Sequence, residues 1–223
     1  MDIKHVKNEL QHILQGTSRV SYGESIQAIA SFLRKSLIAS GAIEDGEQSK
    51  DQENEILVRY ITENNLWKEN INYDLFLSQG AEQRVYIKDK QKVFKLNDGI
   101  YYLSWVDYFY NLLLNNYFFP DTAYNLIGFY KSELDVVYAV VEQNYVESNQ
   151  PTDLSLVKNF LENNGFSNTR NNDYYNADLG IILEDLHDEI VLTYNGFLYF
   201  IDTVFYIKKM CFGEKTLSYS LDR

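Results

Sequence analysis

The fold is decided by Leu183-Glu184-Asp185-Leu186-His187-Asp188-Glu189-Ile190-Val191-Leu192, continued by Thr193-Tyr194-Asn195-Gly196 and Phe197-Leu198-Tyr199-Phe200-Ile201-Asp202. Two runs rich in Val, Ile, Phe and Tyr flank an Asn-Gly pair. That pair supplies the positive φ angles of a type I′ turn, so the segment reads as a β-hairpin. With Asn195-Gly196 as the loop, Tyr194 faces Phe197, and counting outward sets Ile190 against Ile201 and Glu189 against Asp202. Residues 185–189 therefore return close to Asp202. Two carboxylates gathered at the open end of a hairpin suit phosphoryl transfer, one accepting a hydroxyl proton and the other holding Mg²⁺ against nucleotide phosphates. The competing reading is a solvated loop, since Asp at a strand end is commonly a turn former.

Upstream of the hairpin, Asn163–Asn176 is polar and dense in Asn, which reads as a loop placed where it could meet a substrate. Leu154, Leu156, Val157, Phe160 and Leu161 predict a short helix closed by Gly165. Before it lie short strands: Asp74–Ser78, Arg84–Lys88, Gln91–Leu96, Tyr124–Tyr130 and Leu134–Val141. Residues 100–119 are apolar on most faces, but Ser104, Asp107, Asn111 and Asn115 recur at helical spacing. This predicts a largely buried helix and not a membrane span. A lysine inside an apolar run, Lys95 in Val93-Phe94-Lys95-Leu96, is costly to bury unpaired and wants an anion such as a nucleotide. Equally, an edge-strand lysine can snorkel to water.

The N-terminal third reads as helical. Ile3, Val6, Leu10, Ile13 and Leu14 form one amphipathic stripe, and Ile26, Ile29, Ala30, Leu33, Leu37 and Ile38 form a second. Glu44–Glu55 is acidic and nearly free of apolar residues, an exposed loop, and a third helix runs from about Asn54 to Glu63. After Asp202, Val204, Phe205, Ile207 and Met210 predict a closing helix.

Asp185-Leu186-His187-Asp188-Glu189, followed by a hairpin and Phe200-Ile201-Asp202, resembles the catalytic loop and metal-binding aspartate of the protein-kinase-like superfamily. The similarity looks closest to the small-molecule (aminoglycoside/choline) kinases, whose loop runs Asp-Leu-His-x-x-Asn, and to the kinase-like domains of polyvalent proteins of bacterial mobile elements. The resemblance covers residues 73–206. It implies an α+β, two-lobed kinase-like fold: an N-terminal helical segment (1–70), a five-stranded antiparallel small lobe (71–145) and a reduced large lobe (146–223). The helices of residues 1–65 are expected to fold back and complete that lobe.

The resemblance also implies roles. Asp185 would be the catalytic base and Asp202 the Mg²⁺ ligand, and Lys95, in a Val-Ala-x-Lys-like strand motif, would orient the α/β-phosphates of ATP. Gly80 would belong to the nucleotide-covering loop Gln79–Gln83. Glu142, Gln143 and Tyr145 would lie in the adenine-reading hinge, with Leu75-Phe76-Leu77 and Val140 sandwiching the base. The acceptor would be a hydroxyl-bearing molecule or a protein. Three positions depart from the pattern. The metal-binding Asn five residues after the base is replaced by Ile190, which offers a hard cation no oxygen. The covering loop has one glycine, and the helix after the third strand has no Glu to pair with Lys95, leaving Asp107 as the nearest acid. These departures imply the alternative of a pseudokinase or binding module.

Composition narrows the classes further. A hydrophobic content of 45% in 223 residues excludes wholesale disorder and supports a sizeable core. The net charge of −12 disfavours a generic nucleic-acid binder. The 19 tyrosines and this charge would equally suit an acidic interaction protein of unrelated fold. One cysteine, Cys211, allows no internal disulfide, and three scattered histidines make no zinc site. With no apolar h-region and no spanning run, the expectation is a cytoplasmic protein without membrane contact.

Overall fold

The alternating apolar pattern between residues 76 and 144 forms a five-stranded antiparallel sheet in the computed structural model, which describes residues 3–39, 50–69, 71–80 and 83–208. Its strands are β1 (Phe76–Gln79), β2 (Gln83–Ile87), β3 (Lys92–Asn97), β4 (Asn125–Lys131) and β5 (Val137–Asn144), in the spatial order β1-β2-β3-β5-β4. A period of two gives the sheet two distinct faces. One carries Tyr86, Leu96 and Val140, packed with Phe94, Tyr130 and Tyr138. The other carries Lys95, which pairs in register with Val85 on β2 and Val141 on β5.

The helices are α1 (Ile3–Gln15), α2 (Gly23–Ala39), α3 (Lys50–Glu63), α4 (Trp105–Phe118) and α5 (Leu154–Asn163). Helix α4 lies on the Lys95 face, where the Trp105 and Phe109 rings each meet Phe129 edge-on at 6.4 Å. Phe129 pairs with Ala139, and Ala139 with Asn97, which fixes the side of the sheet that α4 covers. The helix begins at Trp105 and not at residue 100, because the Ser104 hydroxyl accepts the Asp107 N–H as an N-cap. Strand β5 starts at Val137 and not at Leu134, since Asp135 occupies a left-handed turn at φ +62°.

The chain divides into two compact units, residues 15–145 and residues 1–14 with 146–223. Helices α2 and α3 pack on α4 and on each other in the first unit. Both fall in the first unit, and of the described residues up to 65 only those of α1 as far as Leu14 fall in the second. The buried face of α1 is Val6, Leu10, Ile13 and Leu14.

The second unit holds α5 and six short strands: β6 (Ser167–Arg170), β7 (Asp173–Asn176), β8 (Ile181–Glu184), β9 (Val191–Tyr194), β10 (Phe197–Phe200) and β11 (Val204–Ile207). They form a sheet of order β11-β8-β7-β6 and a separate β9–β10 pair. The Asn-rich segment is thus a hairpin and not a loop. Asn171 at φ +48° makes its turn, and Tyr174 and Asn176 are buried. The expected closing helix is also corrected. Val204–Ile207 is a strand, because β-branched and aromatic residues there complete the open edge of β8. Met210 and Cys211 lie outside the described residues.

Candidate functional site

Two ladders bring Asp185 and Asp202 to one place. Antiparallel pairing of β8 with β11 sets Glu184 opposite Val204, so Asp185 and Asp202 leave the same end of that pair. The β9–β10 hairpin pairs Tyr194 with Phe197 and Val191 with Phe200, the register expected from the Asn-Gly turn. It continues where the Ile201 N–H donates to the Ile190 carbonyl at 2.9 Å. The segment between the two ladders is consequently pinned at both ends.

Asp185 itself sits at φ +57°, a left-handed conformation that Asp tolerates better than most residues and that clusters at functional positions. Its N–H donates to Asp173 Oδ1 at 2.9 Å, and its carbonyl accepts the His187 N–H at 2.9 Å. The Leu186 side chain, 1% exposed, anchors the turn from below, while the Asp185 carboxylate faces solvent. His187 Nε2 lies 3.6 Å from Asp185 Oδ2, and Nδ1 accepts the Glu189 N–H at 3.2 Å. Burial pushes the Glu184 carboxyl above its usual range, and the neighbouring charges of Asp173 and Asp185 add to it. Asp202 and Ile190 are half-buried.

In the sheet unit, Lys95 is 3% exposed, with Nζ 5.7 Å from the centre of the Tyr124 ring. Asp107 lies in the first turn of α4, its N–H bound to Ser104 Oγ. The Gly80 N–H closes the β1–β2 turn on the Gln83 carbonyl at 3.0 Å, and no atom lies within 4 Å of where a Cβ would sit. The fold alone does not require glycine there.

Of the residues expected in a hinge, Glu142 and Gln143 have side chains engaged in the sheet unit, whereas the Tyr145 side chain is exposed. Glu142 projects from the sheet face opposite Lys95 and is held by the ammonium groups of Lys88 and Lys92. Burial pushes its carboxyl up, but hydrogen bonds from Lys88 and Lys92 outweigh that and hold it below the usual range. Gln143 Nε2 donates to the Thr122 carbonyl at 2.7 Å, and the Tyr145 N–H to the Gln91 carbonyl at 2.7 Å. Val140 faces away from Lys95, packed with Tyr86 and Leu96, so it does not share a face with the lysine; by register Val141 does. Phe76 meets the Tyr86 ring on that opposite face, at 5.7 Å.

One residue that sequence reasoning misses has a large structural role. The acidic segment Glu44–Glu55 has the composition of a solvated loop, yet α3 begins at Lys50, and Glu53 is completely buried. Its Oε2 accepts the Trp105 N–H at 2.7 Å and its Oε1 the Val106 N–H at 3.1 Å, capping α4 from a distant helix. Lys50 Nζ donates to the Gly99 and Tyr102 carbonyls at 2.6 and 3.0 Å. The signal was present in the spacing, because Glu53, Leu57 and Ile61 lie on one helical face.

Similarity to known proteins points the same way. A family model described as a serine/threonine/tyrosine kinase found in polyvalent proteins matches residues 50–209, well over half of the chain. The chain belongs to this family. The polyvalent-protein kinase match begins at Lys50, so it takes in α3 with its Glu53 cap and runs through β11. Neither the curated proteins nor the solved structures yielded a match. Among the described residues of this kinase-like chain, no helix is long and apolar enough to cross a membrane.

Proposed function

We propose that this kinase-like domain transfers the γ-phosphoryl group of ATP to a hydroxyl acceptor. Asp185 aligns the hydroxyl and accepts its proton, Asp202 holds Mg²⁺, and Lys95 orients the nucleotide phosphates, with Gly80 and the backbone of residues 142–145 contributing to the nucleotide site. The observation that carries the reading is the convergence of Asp185 and Asp202 at the end of the β8–β11 and β9–β10 ladders. One carboxylate there is exposed, where a substrate can meet it, and the other is half-buried.

Among the described residues, no cluster of three or more His, Cys, Asp or Glu side chains is arranged to hold a metal. Mg²⁺ keeps several waters and is normally held by one or two carboxylates together with substrate phosphates, a part that Asp202 can fill. The donors at hand are oxygens, the type a hard cation prefers. Mg²⁺ would supply neutralisation of charge on the phosphate oxygens. The protein's own part is positioning and proton acceptance at Asp185 Oδ atoms.

Ile190 favours a second reading, a pseudokinase that binds nucleotide without turnover, because it replaces an oxygen ligand with an aliphatic chain. Radiolabelled ATP separates the two. Transfer to an acceptor or to the protein itself, abolished in Asp185→Asn, supports the transferase. Nucleotide binding in a thermal-shift assay without any transfer supports the pseudokinase. A protein whose midpoint ATP and Mg²⁺ leave unmoved at millimolar concentration fits neither.

A further inference from the structure

The last turn of α4 carries Asn116, 1% exposed, which grips a single residue with both ends of its amide. Oδ1 accepts the Tyr124 N–H at 2.7 Å, and Nδ2 donates to the Tyr124 carbonyl at 2.8 Å. The same Nδ2 lies 2.9 Å from the Ser21 carbonyl. Tyr124 is thereby fixed in backbone position just ahead of β4, and it is itself 3% exposed.

Register fixes where its ring goes. Leu126 pairs with Val141, and Val141 with Lys95, so these side chains share one face; Tyr124, two residues before Leu126, lies on the same face. The lysine ammonium stands over that ring at 5.7 Å, within the range of an attractive cation–π contact. A buried lysine has four rotatable bonds and loses considerable rotamer freedom when ordered. A ring face is an attractive seat for the ammonium and limits the directions in which it can point.

We infer that Tyr124, held by Asn116 from α4, is a positioning residue that seats the Lys95 ammonium for nucleotide phosphates. This rests on the role proposed above for Lys95 and extends it, because it identifies a contact through which α4 acts on that lysine. Tyr124 need not touch substrate. Its contribution comes from the ring face, so phenylalanine should replace it and an aliphatic residue should not.

The test has two arms. In the first, ¹³Cε-lysine-labelled protein is examined without nucleotide, with Lys95→Arg assigning the Lys95 signal. The ring should shift its ε-protons upfield in wild type and in Tyr124→Phe, and the shift should vanish in Tyr124→Leu. In the second, Mg·ATP affinity is titrated in the same three proteins and in Asn116→Ala, after circular dichroism has shown each to be folded. Tyr124→Leu should weaken binding about tenfold, Asn116→Ala several-fold, and Tyr124→Phe should restore it to within about threefold of wild type. An absent ring shift in wild type overturns the inference whatever ATP does. So does equal weakening by Phe and Leu, which would make Tyr124 a packing residue. If wild type shows the ring shift but binds no ATP, the kinase reading fails and takes the positioning role with it, while the Lys95–Tyr124 contact stands.

Discussion

Removing the Glu53 carboxylate should loosen α4 far more than an acidic residue in a polar, acidic stretch of sequence would suggest. Glu53→Ala leaves the Trp105 and Val106 N–H groups without their acceptor at positions that are 1% and 2% exposed. Each buried unsatisfied donor costs about 1–3 kcal/mol, and the lost interaction with the helix dipole adds up to ~2 kcal/mol. Against this stands relief from burying a charge, which burial makes unfavourable enough to push the carboxyl above its usual range despite the two N–H groups and Lys50. The net loss should be about 2–4 kcal/mol, or roughly 5–15 °C in midpoint for a chain of this length. Glu53→Gln keeps one acceptor oxygen and sheds the charge but turns its NH2 toward the other N–H, so its cost should be smaller than that of Ala, about 1–2 kcal/mol.

The pH dependence carries a definite sign. A carboxyl whose folded pKa is raised binds protons more tightly in the folded state, so its stabilisation is full below the unfolded value of about 4.3 and fades as pH rises through the folded value. Wild type minus Glu53→Gln should therefore gain stability as pH is lowered toward about 5. Urea melts across roughly pH 5–8, with amide exchange at Trp105 and Val106, measure both effects. A Glu53→Ala protein within about 0.5 kcal/mol of wild type, or a difference curve of opposite slope, would refute the capping role.

Further expectations concern other positions. Glu142 should behave oppositely, because Lys88 and Lys92 hold its carboxyl below the usual range. Its contribution is present above the unfolded pKa and lost as pH falls through the folded one, so Glu142→Gln should flatten the acid limb of the same melts. Gly128→Ala should cost about 2–4 kcal/mol in a denaturant melt, since φ is +149° and a Cβ would meet the Leu66 carbonyl at 2.5 Å. Gly80→Ala should leave the melt unchanged, having open space, yet weaken ATP binding if the β1–β2 turn covers phosphates. Ile190→Asn should strengthen the Mg²⁺ dependence of nucleotide binding by supplying an oxygen, as read by ATP titration with and without the metal.

How much of the fold was legible depends on whether the information was local. The β9–β10 hairpin could be read to the residue because Asn195-Gly196 fixes turn type and therefore register. The sheet strands were found with ends off by a few residues, since ends are set by turns such as Asp135 that carry little hydrophobic signal. The Asn-rich hairpin and β11 are hidden for other reasons: β6 is polar and exposed along its length, so it shows no apolar alternation although it pairs with its neighbour β7, while β11 takes its strand form from pairing with β8, about twenty residues earlier. Of the candidate residues, Asp185 and Asp202 could be brought together from the hairpin count alone. The engagement of Glu142 with two lysines, and of Lys95 with Tyr124, depends on tertiary register and left no local trace.

The most direct test of the kinase reading is calorimetric titration of ATP, with and without Mg²⁺, into wild type, Lys95→Met and Asp202→Asn. The predicted result is one saturable site in wild type that Lys95→Met weakens regardless of the metal. Asp202→Asn should weaken it in the presence of Mg²⁺ and leave it nearly unchanged in its absence. No binding in wild type, or binding indifferent to both substitutions, would contradict that reading.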